Sequence, residues 1–258
     1  MPIVNVNGAK LYYFERGQGT PLIFIHPPVV DSLVFSYQIA QLSRHFRTIV
    51  FDIQGHGRSE AKAAPVTYTT IADDAIGLMD ELGIDKGVFC GYSTGAAVVL
   101  ECLLRHPNRA LAGVLMGGMS EVRHLWLKAL LIAARAASRN WSKRLLALAV
   151  ALVNTGELKY FVKQYRRSLH GVPQKWGQYF GASQTYNCTD ELSKIETPVL
   201  MIYGEKDRRF HPYAQQISAL LPRRKLIFLP NAPHQMPTKS YVSVSSQIEQ
   251  FLAEELKL

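Results

Sequence analysis

Cysteines are scarce in this sequence and do not pair in a recognisable pattern. The 258 residues include three cysteines, Cys90, Cys102 and Cys188, and no two of them form a C-x-x-C arrangement. An odd number with this spacing argues against a disulfide framework and against a zinc site built on paired cysteines. We therefore expect reduced, buried and inert thiols and no bound metal.

Long hydrophobic runs are also missing. The longest aliphatic segments, such as residues 145–153, are much shorter than the roughly 20 residues that a membrane-spanning helix needs. Residues 1–10 lack the basic start and the apolar stretch of a signal peptide, and the Asn7-Gly8 pair predicts a hairpin turn there instead. We expect a cytoplasmic protein.

Acidic residues are depleted in one segment only. The net charge is +9, and residues 120–187 hold 11 Lys and Arg against 2 Asp and Glu, which is a local charge of +9 and leaves 18 against 18 elsewhere. This segment contains no recognised nucleic-acid-binding motif, so its charge is weak evidence for such a partner. We expect no nucleic-acid partner.

Apolar runs of strand length recur along the chain. They occupy residues 3–6, 10–14, 22–25, 48–51, 87–90, 112–116, 198–203 and 226–229, and helix-length amphipathic segments lie at 71–82, 96–104, 213–220 and 242–256. Strand alternating with helix predicts an α/β fold: a mostly parallel eight-stranded sheet with helices on both faces. Ligands bind such sheets at the carboxyl ends of the strands.

One segment breaks this alternation. Residues 119–187 show no convincing strand, but they carry helical patterns at 125–137 and 143–153, followed by a looser aromatic-rich tail. We interpret this segment as a helical cap inserted after the sixth strand. Residues 1–118 and 188–258 then form one core domain.

A serine lies between two glycines directly after a predicted strand, in Gly91-Tyr92-Ser93-Thr94-Gly95. A tight strand-to-helix turn strains its middle residue, and Cβ atoms two positions before and after it would collide with the turn. Glycines remove these collisions and leave the Ser93 hydroxyl exposed at a helix N-terminus, where the dipole favours developing negative charge. The pattern predicts a nucleophile, although G-x-S-x-G also occurs by chance in glycine-bearing loops.

A serine hydroxyl needs a base, normally a histidine oriented by a carboxylate. Asp207 follows the apolar run 198–203, and His234 is the one histidine placed after the last predicted strand. Glu205 lies close to Asp207, but only Asp207 has the G-x-x-D spacing. The chain order is therefore Ser, then Asp, then His.

Four stretches together resemble the α/β-hydrolase fold superfamily over nearly the whole chain. They are G-Y-S-T-G at 91–95, F-D-I-Q-G-H-G-R-S at 51–59, I-Y-G-E-K-D at 202–207 and N-A-P-H at 231–234. The resemblance is to the serine-nucleophile, esterase- or lipase-like branch with a helical cap. It implies Ser93 as nucleophile, His234 as base and Asp207 as the orienting acid. A serine nucleophile argues against the dehalogenases and epoxide hydrolases of this fold, which use aspartate.

The chain departs from the family where the second oxyanion donor is usually found. The family has His-Gly and then a residue whose N–H helps to bind the oxyanion, whereas this chain has His26-Pro27-Pro28-Val29. Proline has no N–H, so Pro28 cannot donate. Either Val29 donates from a shifted loop or one donor is missing. We favour Val29, together with the Thr94 N–H that the resemblance implies.

The predicted substrate site also includes His26, Pro28, Tyr92 and Trp126. The cap carries apolar residues with basic residues interleaved, such as Leu145 and Arg144. This surface could line an acyl pocket, bind an acidic partner or contact an anionic membrane weakly. A helix pair with a solvated basic face is at least as good an explanation.

The first functional hypothesis is a serine hydrolase that cleaves small to medium apolar carboxylic esters, thioesters or lactones through an acyl-enzyme. It needs no metal or organic cofactor, and its partner is a small-molecule substrate. One alternative is a slow-turnover ligand receptor or signalling protein on the same fold. A cofactor-free perhydrolase or C–C hydrolase is the other.

Overall fold

All eight predicted strands form, and they assemble into one sheet. The computed structural model describes residues 2–256. Its strands are β1 (Ile3–Val6), β2 (Ala9–Arg16), β3 (Pro21–Ile25), β4 (Arg47–Phe51), β5 (Gly87–Tyr92), β6 (Ala110–Met116), β7 (Val199–Gly204) and β8 (Arg224–Leu229). The strand order is β1-β2-β4-β3-β5-β6-β7-β8, in which the β1–β2 and β2–β4 pairs are antiparallel and the other five pairs are parallel.

Register across the sheet explains the continuous apolar runs. Ile23 of β3 pairs with Ile49 of β4 on one side and with Phe89 of β5 on the other, and all three are fully buried on one face. The next residue, Phe24, pairs with Val50 and lies in a second core on the opposite face. Because both faces are covered, these strands need apolar residues at every position.

Ten helices complete the described fold. They are α1 (Ser36–Leu42), α2 (Tyr68–Glu81), α3 (Thr94–Arg105), α4 (Leu125–Ala136), α5 (Lys143–Asn154), α6 (Leu158–Ser168), α7 (Pro173–Thr185), α8 (His211–Leu220), α9 (Met236–Lys239) and α10 (Tyr241–Leu256). Helices α2, α3 and α8 contribute to the core on one face of the sheet, and α1, α9 and α10 to the core on the other. No helix within residues 2–256 is long and apolar enough to cross a bilayer.

The segment 119–187 contains four helices rather than the two predicted ones. Helices α4 and α5 match the predicted patterns, and α6 and α7 replace the looser tail. Helix α7 begins at Pro173, and its aromatic residues Trp176, Tyr179 and Phe180 are buried at i, i+3 and i+4 spacing. The helical spacing of these three aromatic residues is visible in the sequence, but their burial depends on the packing of α7 against the core.

The four helices pack in two pairs over the carboxyl edge of the sheet. Helix α4 packs on α7, and α5 packs on α6. A bridge between Glu121 and Asn187, and a hydrogen bond from the Cys188 N–H to the Ser120 carbonyl, join the two ends of the segment. The helices therefore lie above the loops that follow the parallel strands.

Candidate active site

Ser93 lies at the sharp turn between β5 and α3. Its backbone has φ 55° and ψ −120°, a strained conformation for a residue with a side chain. A Cβ on Gly91 would clash with the backbone of Gly95, and one on Gly95 would clash with the Ile25 carbonyl of β3. The glycines therefore let the turn close and pack against the neighbouring strand, as the sequence indicates.

The structure brings the three predicted catalytic side chains together. His234 Nε2 lies 3.1 Å from Ser93 Oγ, and His234 Nδ1 lies 2.6 Å from Asp207 Oδ2. A carboxylate can only accept, so Nδ1–H donates to Asp207 and Nε2 is left to accept the Ser93 hydroxyl proton. This is the hydrogen-bond chain of a serine nucleophile and its base.

Neighbouring residues hold the histidine ring in this position. The ring centroid of Phe210 lies 4.2 Å from that of His234, and the ring of Tyr92 lies 5.5 Å away. A Cβ on Gly117 would come within 2.9 Å of the imidazole, so a glycine there leaves room for the ring. The orientation of His234 is thus fixed by packing as well as by Asp207.

Glu205, the other carboxyl group near the end of β7, has a different partner. Its Oε2 accepts the N–H of Asn231, which has φ 57° in the loop before His234. Asp207 remains on the imidazole. Glu205 therefore shapes the loop that carries the histidine.

A cavity of about 500 Å³ opens from Ser93 into the cap. Its walls are mostly apolar and include Met119, Leu127, Leu131, Leu146, Val150 and Phe180. Its polar lining residues are Tyr92, Ser93, Thr94, Asn154, His234 and Gln235. The cavity suits a ligand with an apolar body and one polar group at the serine.

Three of the predicted substrate residues, Pro28, Tyr92 and Trp126, line this cavity. The Tyr92 hydroxyl donates to Asn154 Oδ1 at 3.0 Å, which ties the end of α5 to the residue before the nucleophile. Asn154 was missed in the sequence because it lies in a cap helix with no local chemical motif. Only the tertiary contact between the end of α5 and Tyr92 brings it to the site.

His26, the fourth predicted substrate residue, does not line the cavity. It is fully buried and absent from the cavity lining. Its Nδ1–H donates to the Pro27 carbonyl at 2.8 Å, and its Nε2 accepts the Ile53 N–H at 3.0 Å. Burial lowers the pKa of His26 to about 4. The expectation of substrate contact was therefore wrong, because both ring nitrogens hold backbone in place.

The two predicted oxyanion donors occupy unusual backbone positions. Thr94 is the first residue of α3, so its N–H has no acceptor inside the helix. Thr94 lines the cavity, whereas Val29 is fully buried and absent from the lining, and only the prolines before it reach the cavity. Val29 has φ 74°, which is rare for a β-branched residue. The Val29 N–H as second donor therefore remains a prediction.

A buried charge cluster joins the cap to the loops after β3 and β4. Arg167 of α6 donates its Nε–H to Asp31 at 2.7 Å, and its terminal nitrogen lies 3.3 Å from Asp52 Oδ2. Asp52 also accepts the Ser32 N–H at 2.9 Å. Burial and the adjacent Asp52 raise the pKa of Asp31, while Arg167 lowers it. In the sequence, this cluster is indicated only by two isolated carboxylates, Asp31 and Asp52, that follow apolar strands.

Comparison with known proteins gives a consistent result for the fold. The family model described as alpha/beta hydrolase fold matches residues 20–237. The bifunctional esterase/perhydrolase DCH of Acinetobacter calcoaceticus is 26% identical, over 97% of this chain and 98% of its own. A putative non-heme haloperoxidase of Mycobacterium phage D29 is 32% identical, but over only 47% of this chain and 44% of its own.

Solved structures agree over the whole chain. The enol-lactonase from Burkholderia xenovorans LB400 superposes with a TM-score of 0.87 at 23% identity, covering 98% of this chain and 100% of that one. An esterase from Exiguobacterium antarcticum also gives a TM-score of 0.87, at 20% identity, covering 97% and 98%. At these identities the similarity establishes the fold alone.

Proposed function

The chain belongs to the alpha/beta hydrolase fold family, and on that premise we propose that it is a serine hydrolase cleaving carboxylic esters of apolar acyl groups through an acyl-enzyme. The observation that carries the proposal is the hydrogen-bonded chain of Ser93, His234 and Asp207 at the base of an apolar cavity. Hydrolytic relatives of this family support the reaction class.

In the first half of the reaction, Ser93 Oγ attacks the ester carbonyl while His234 Nε2 takes the hydroxyl proton. The Asp207 carboxylate stabilises the imidazolium that forms and keeps Nδ1 as the donor to itself. The N–H groups of Thr94 and Val29 stabilise the negative oxygen of the tetrahedral intermediate. Collapse of this intermediate expels the alcohol, which takes its proton from His234.

In the second half, water attacks the acyl group on Ser93 and gives its proton to His234. The second tetrahedral intermediate collapses, the acid leaves, and Ser93 recovers the proton from His234. His234 accepts and returns one proton in each half of the reaction, so the proton transfers balance without any metal or organic cofactor. The apolar walls of the cavity bind the acyl chain by removing its surface from water.

Thioesters and lactones undergo the same two steps, since each presents an acyl carbonyl with a leaving heteroatom. Perhydrolysis differs only in the second nucleophile, hydrogen peroxide in place of water. The relative from Acinetobacter calcoaceticus bears the name of a bifunctional esterase/perhydrolase and matches nearly the full chain, so peroxide belongs in the test.

The proposal is tested with a fluorophosphonate and a substrate panel. The fluorophosphonate should label the wild type and a Ser43→Ala control, but not Ser93→Ala. Esters, thioesters and lactones of increasing acyl length, with water or peroxide as acceptor, define the specificity. Labelling retained in Ser93→Ala would refute the nucleophile assignment. Labelling with no turnover of any panel member would favour the ligand-receptor alternative.

A further inference from the structure

Large apolar side chains are exposed along the outer surface of the cap. We call Leu125, Ile132, Trp141, Leu145 and Leu152 the apolar cap face. Leu125 is 82% exposed, Trp141 79% and Leu145 67%. None of the five lines the catalytic cavity. Leu125 and Ile132 of α4, and Leu145 and Leu152 of α5, are each two helical turns apart and so lie on one side of their helix. Exposed apolar stripes of this kind usually mark an interaction site, since soluble surfaces seldom tolerate them.

Exposed residues of α4 and α5 also line the catalytic cavity. Leu130 of α4 and Val153 of α5 are exposed and also line the cavity. The cavity therefore reaches the surface on the two helices that carry the apolar cap face.

The charge around the apolar cap face has one sign. The sequence contains no Asp or Glu from residue 122 to residue 156, so every charged residue in this stretch is basic. The basic side chains nearest the face are Lys128, Arg135, Arg139, Lys143 and Arg144. Within residues 2–256, no ion pair is formed by any of these five side chains. This surface is complementary to a broad, uniformly negative partner.

We infer that the apolar cap face docks on an anionic membrane surface, which brings α4 and α5, the helices that border the cavity, against the lipid. Trp141 lies on the connection between α4 and α5 among Arg139, Lys143 and Arg144, which is an interfacial combination of an amphipathic ring and basic residues. The leucines on both helices enter the acyl boundary while the basic side chains contact the headgroups. Esters dissolved in the bilayer then lie next to the cavity that leads to Ser93.

A bilayer fits these observations better than a folded partner does. The exposed apolar side chains of this face lie on two helices and, at Trp141, on the segment that connects them, and a lipid surface needs no matching shape. Uniform positive charge is attracted to any anionic leaflet, and each basic residue near the surface strengthens binding about fivefold. The substrate part of this inference rests on the proposed function; the docking part does not.

Sedimentation with vesicles tests the docking. The full chain should bind vesicles of mixed phosphatidylserine and phosphatidylcholine at low salt. Binding should be far weaker to phosphatidylcholine alone, and it should reverse at about 0.5 M salt, where the Debye length is about 4 Å. Arg139→Gln/Arg144→Gln should weaken binding about 25-fold. The matched control, Arg16→Gln/Arg44→Gln, removes two exposed arginines at the opposite edge of the sheet and should bind as the wild type does.

The apolar contribution has its own variants and a spectroscopic readout. Trp141→Ser and Leu145→Ser should each weaken vesicle binding about tenfold or more, since each removes a side chain that enters the lipid. The control Val242→Ser removes an exposed side chain on α10 and should have no effect. Tryptophan emission should shift to shorter wavelength with vesicles, and Trp141→Ser should abolish most of that shift.

Hydrolysis separates docking from catalysis. The Trp141 and Arg139/Arg144 variants should hydrolyse a short water-soluble ester as fast as the wild type, and a long-chain ester in anionic vesicles at least tenfold more slowly. Vesicle binding by the wild type that neither set of variants weakens would overturn the inference. So would self-association, or capture of an acidic protein, with no vesicle binding. Docking with no esterase activity would instead refute only the proposed function.

Discussion

Arg167 and Asp31 form a buried ion pair that connects the cap to the loop after β3. The Arg167 Nε–H donates to Asp31 Oδ2 at 2.7 Å, and the two residues are 136 positions apart in the chain. Asp31 lies two residues after Val29, whose N–H is the proposed oxyanion donor. The position of helix α6 is therefore coupled to the backbone that carries this proposed donor.

Removing the arginine should destabilise the protein strongly. Arg167→Met leaves Asp31 and Asp52 buried without their cation, and breaking such a pair costs about 3–5 kcal/mol. Urea unfolding of the variant measures this loss. The matched control is Arg223→Met, which breaks an exposed pair with Glu255 and should cost at most about 1 kcal/mol. Equal losses in the two variants would contradict the structural role of the cluster.

Asp207 and Glu205 should differ sharply in catalytic importance. Asp207→Asn should lower kcat by about 10⁴, because the amide no longer holds His234 in the tautomer that accepts the serine proton; the size is taken from the serine-protease example. Glu205→Gln should lose less than about tenfold, since the Glu205 carboxylate accepts a hydrogen bond from the Asn231 backbone and not from His234. Steady-state ester hydrolysis distinguishes them. A loss under tenfold in Asp207→Asn would point to another acid.

The proline pair should fix the geometry of the oxyanion site. If Val29 supplies the second donor, Pro28→Gly loosens the loop and lowers kcat, and complete loss of one donor would cost about 10²–10³. A gain in kcat of tenfold or more would instead mean that the glycine N–H restored a missing donor. A structure with a phosphonate on Ser93 locates the donors directly: the Val29 N–H should lie about 2.7–3.1 Å from the phosphonate oxygen.

Acid should destabilise the fold through two buried histidines. Burial lowers the pKa of His26 to about 4 and that of His56 to about 3, so the folded state keeps them neutral while the unfolded state binds protons below pH 6.5. Stability therefore falls as pH falls below 6.5, by up to about 1.4 kcal/mol per pH unit for each histidine. Asp31 acts in the opposite direction, because its raised pKa lets the folded state bind a proton first.

The variant His56→Asn isolates one of these contributions. The free energy of unfolding is measured from pH 6 to pH 4.5 for the wild type and for this variant. The slope of that free energy against pH should be smaller in the variant by about 1.4 kcal/mol per pH unit. The exposed His170→Asn serves as the control. An unchanged slope in His56→Asn would mean that this histidine is protonated in the folded state.

Narrowing the cavity mouth should change acyl-length preference. Ala149 of α5 lines the cavity and is exposed, so Ala149→Phe should lower kcat/KM for long-chain esters at least tenfold and leave acetate esters nearly unchanged. Ala136→Phe places the same side chain on an exposed part of α4 outside the cavity and should have little effect. Equal effects on short and long esters would argue against acyl binding in this cavity.

The sequence by itself determined the sheet and the order of its chemical groups. Apolar runs predict the strands because the parallel strands are buried on both faces, and glycines at 91 and 95 predict the turn because only they fit it. Ser93, Asp207 and His234 each follow a predicted strand. Parallel strands end at one edge of a sheet, so local patterns were enough to bring these three residues together in prediction.

Only the tertiary structure determined which other residues surround these three at the carboxyl edge of the sheet. The burial of His26 under its own loop, the contact of Arg167 with Asp31 and the approach of Asn154 to Tyr92 all join residues through folding in three dimensions. Periodicity reports which side of a helix is apolar, but not which surface the helix covers. The cavity and the apolar cap face therefore exist only once four cap helices have packed over the sheet, because their positions depend on side-chain contacts between distant parts of the chain.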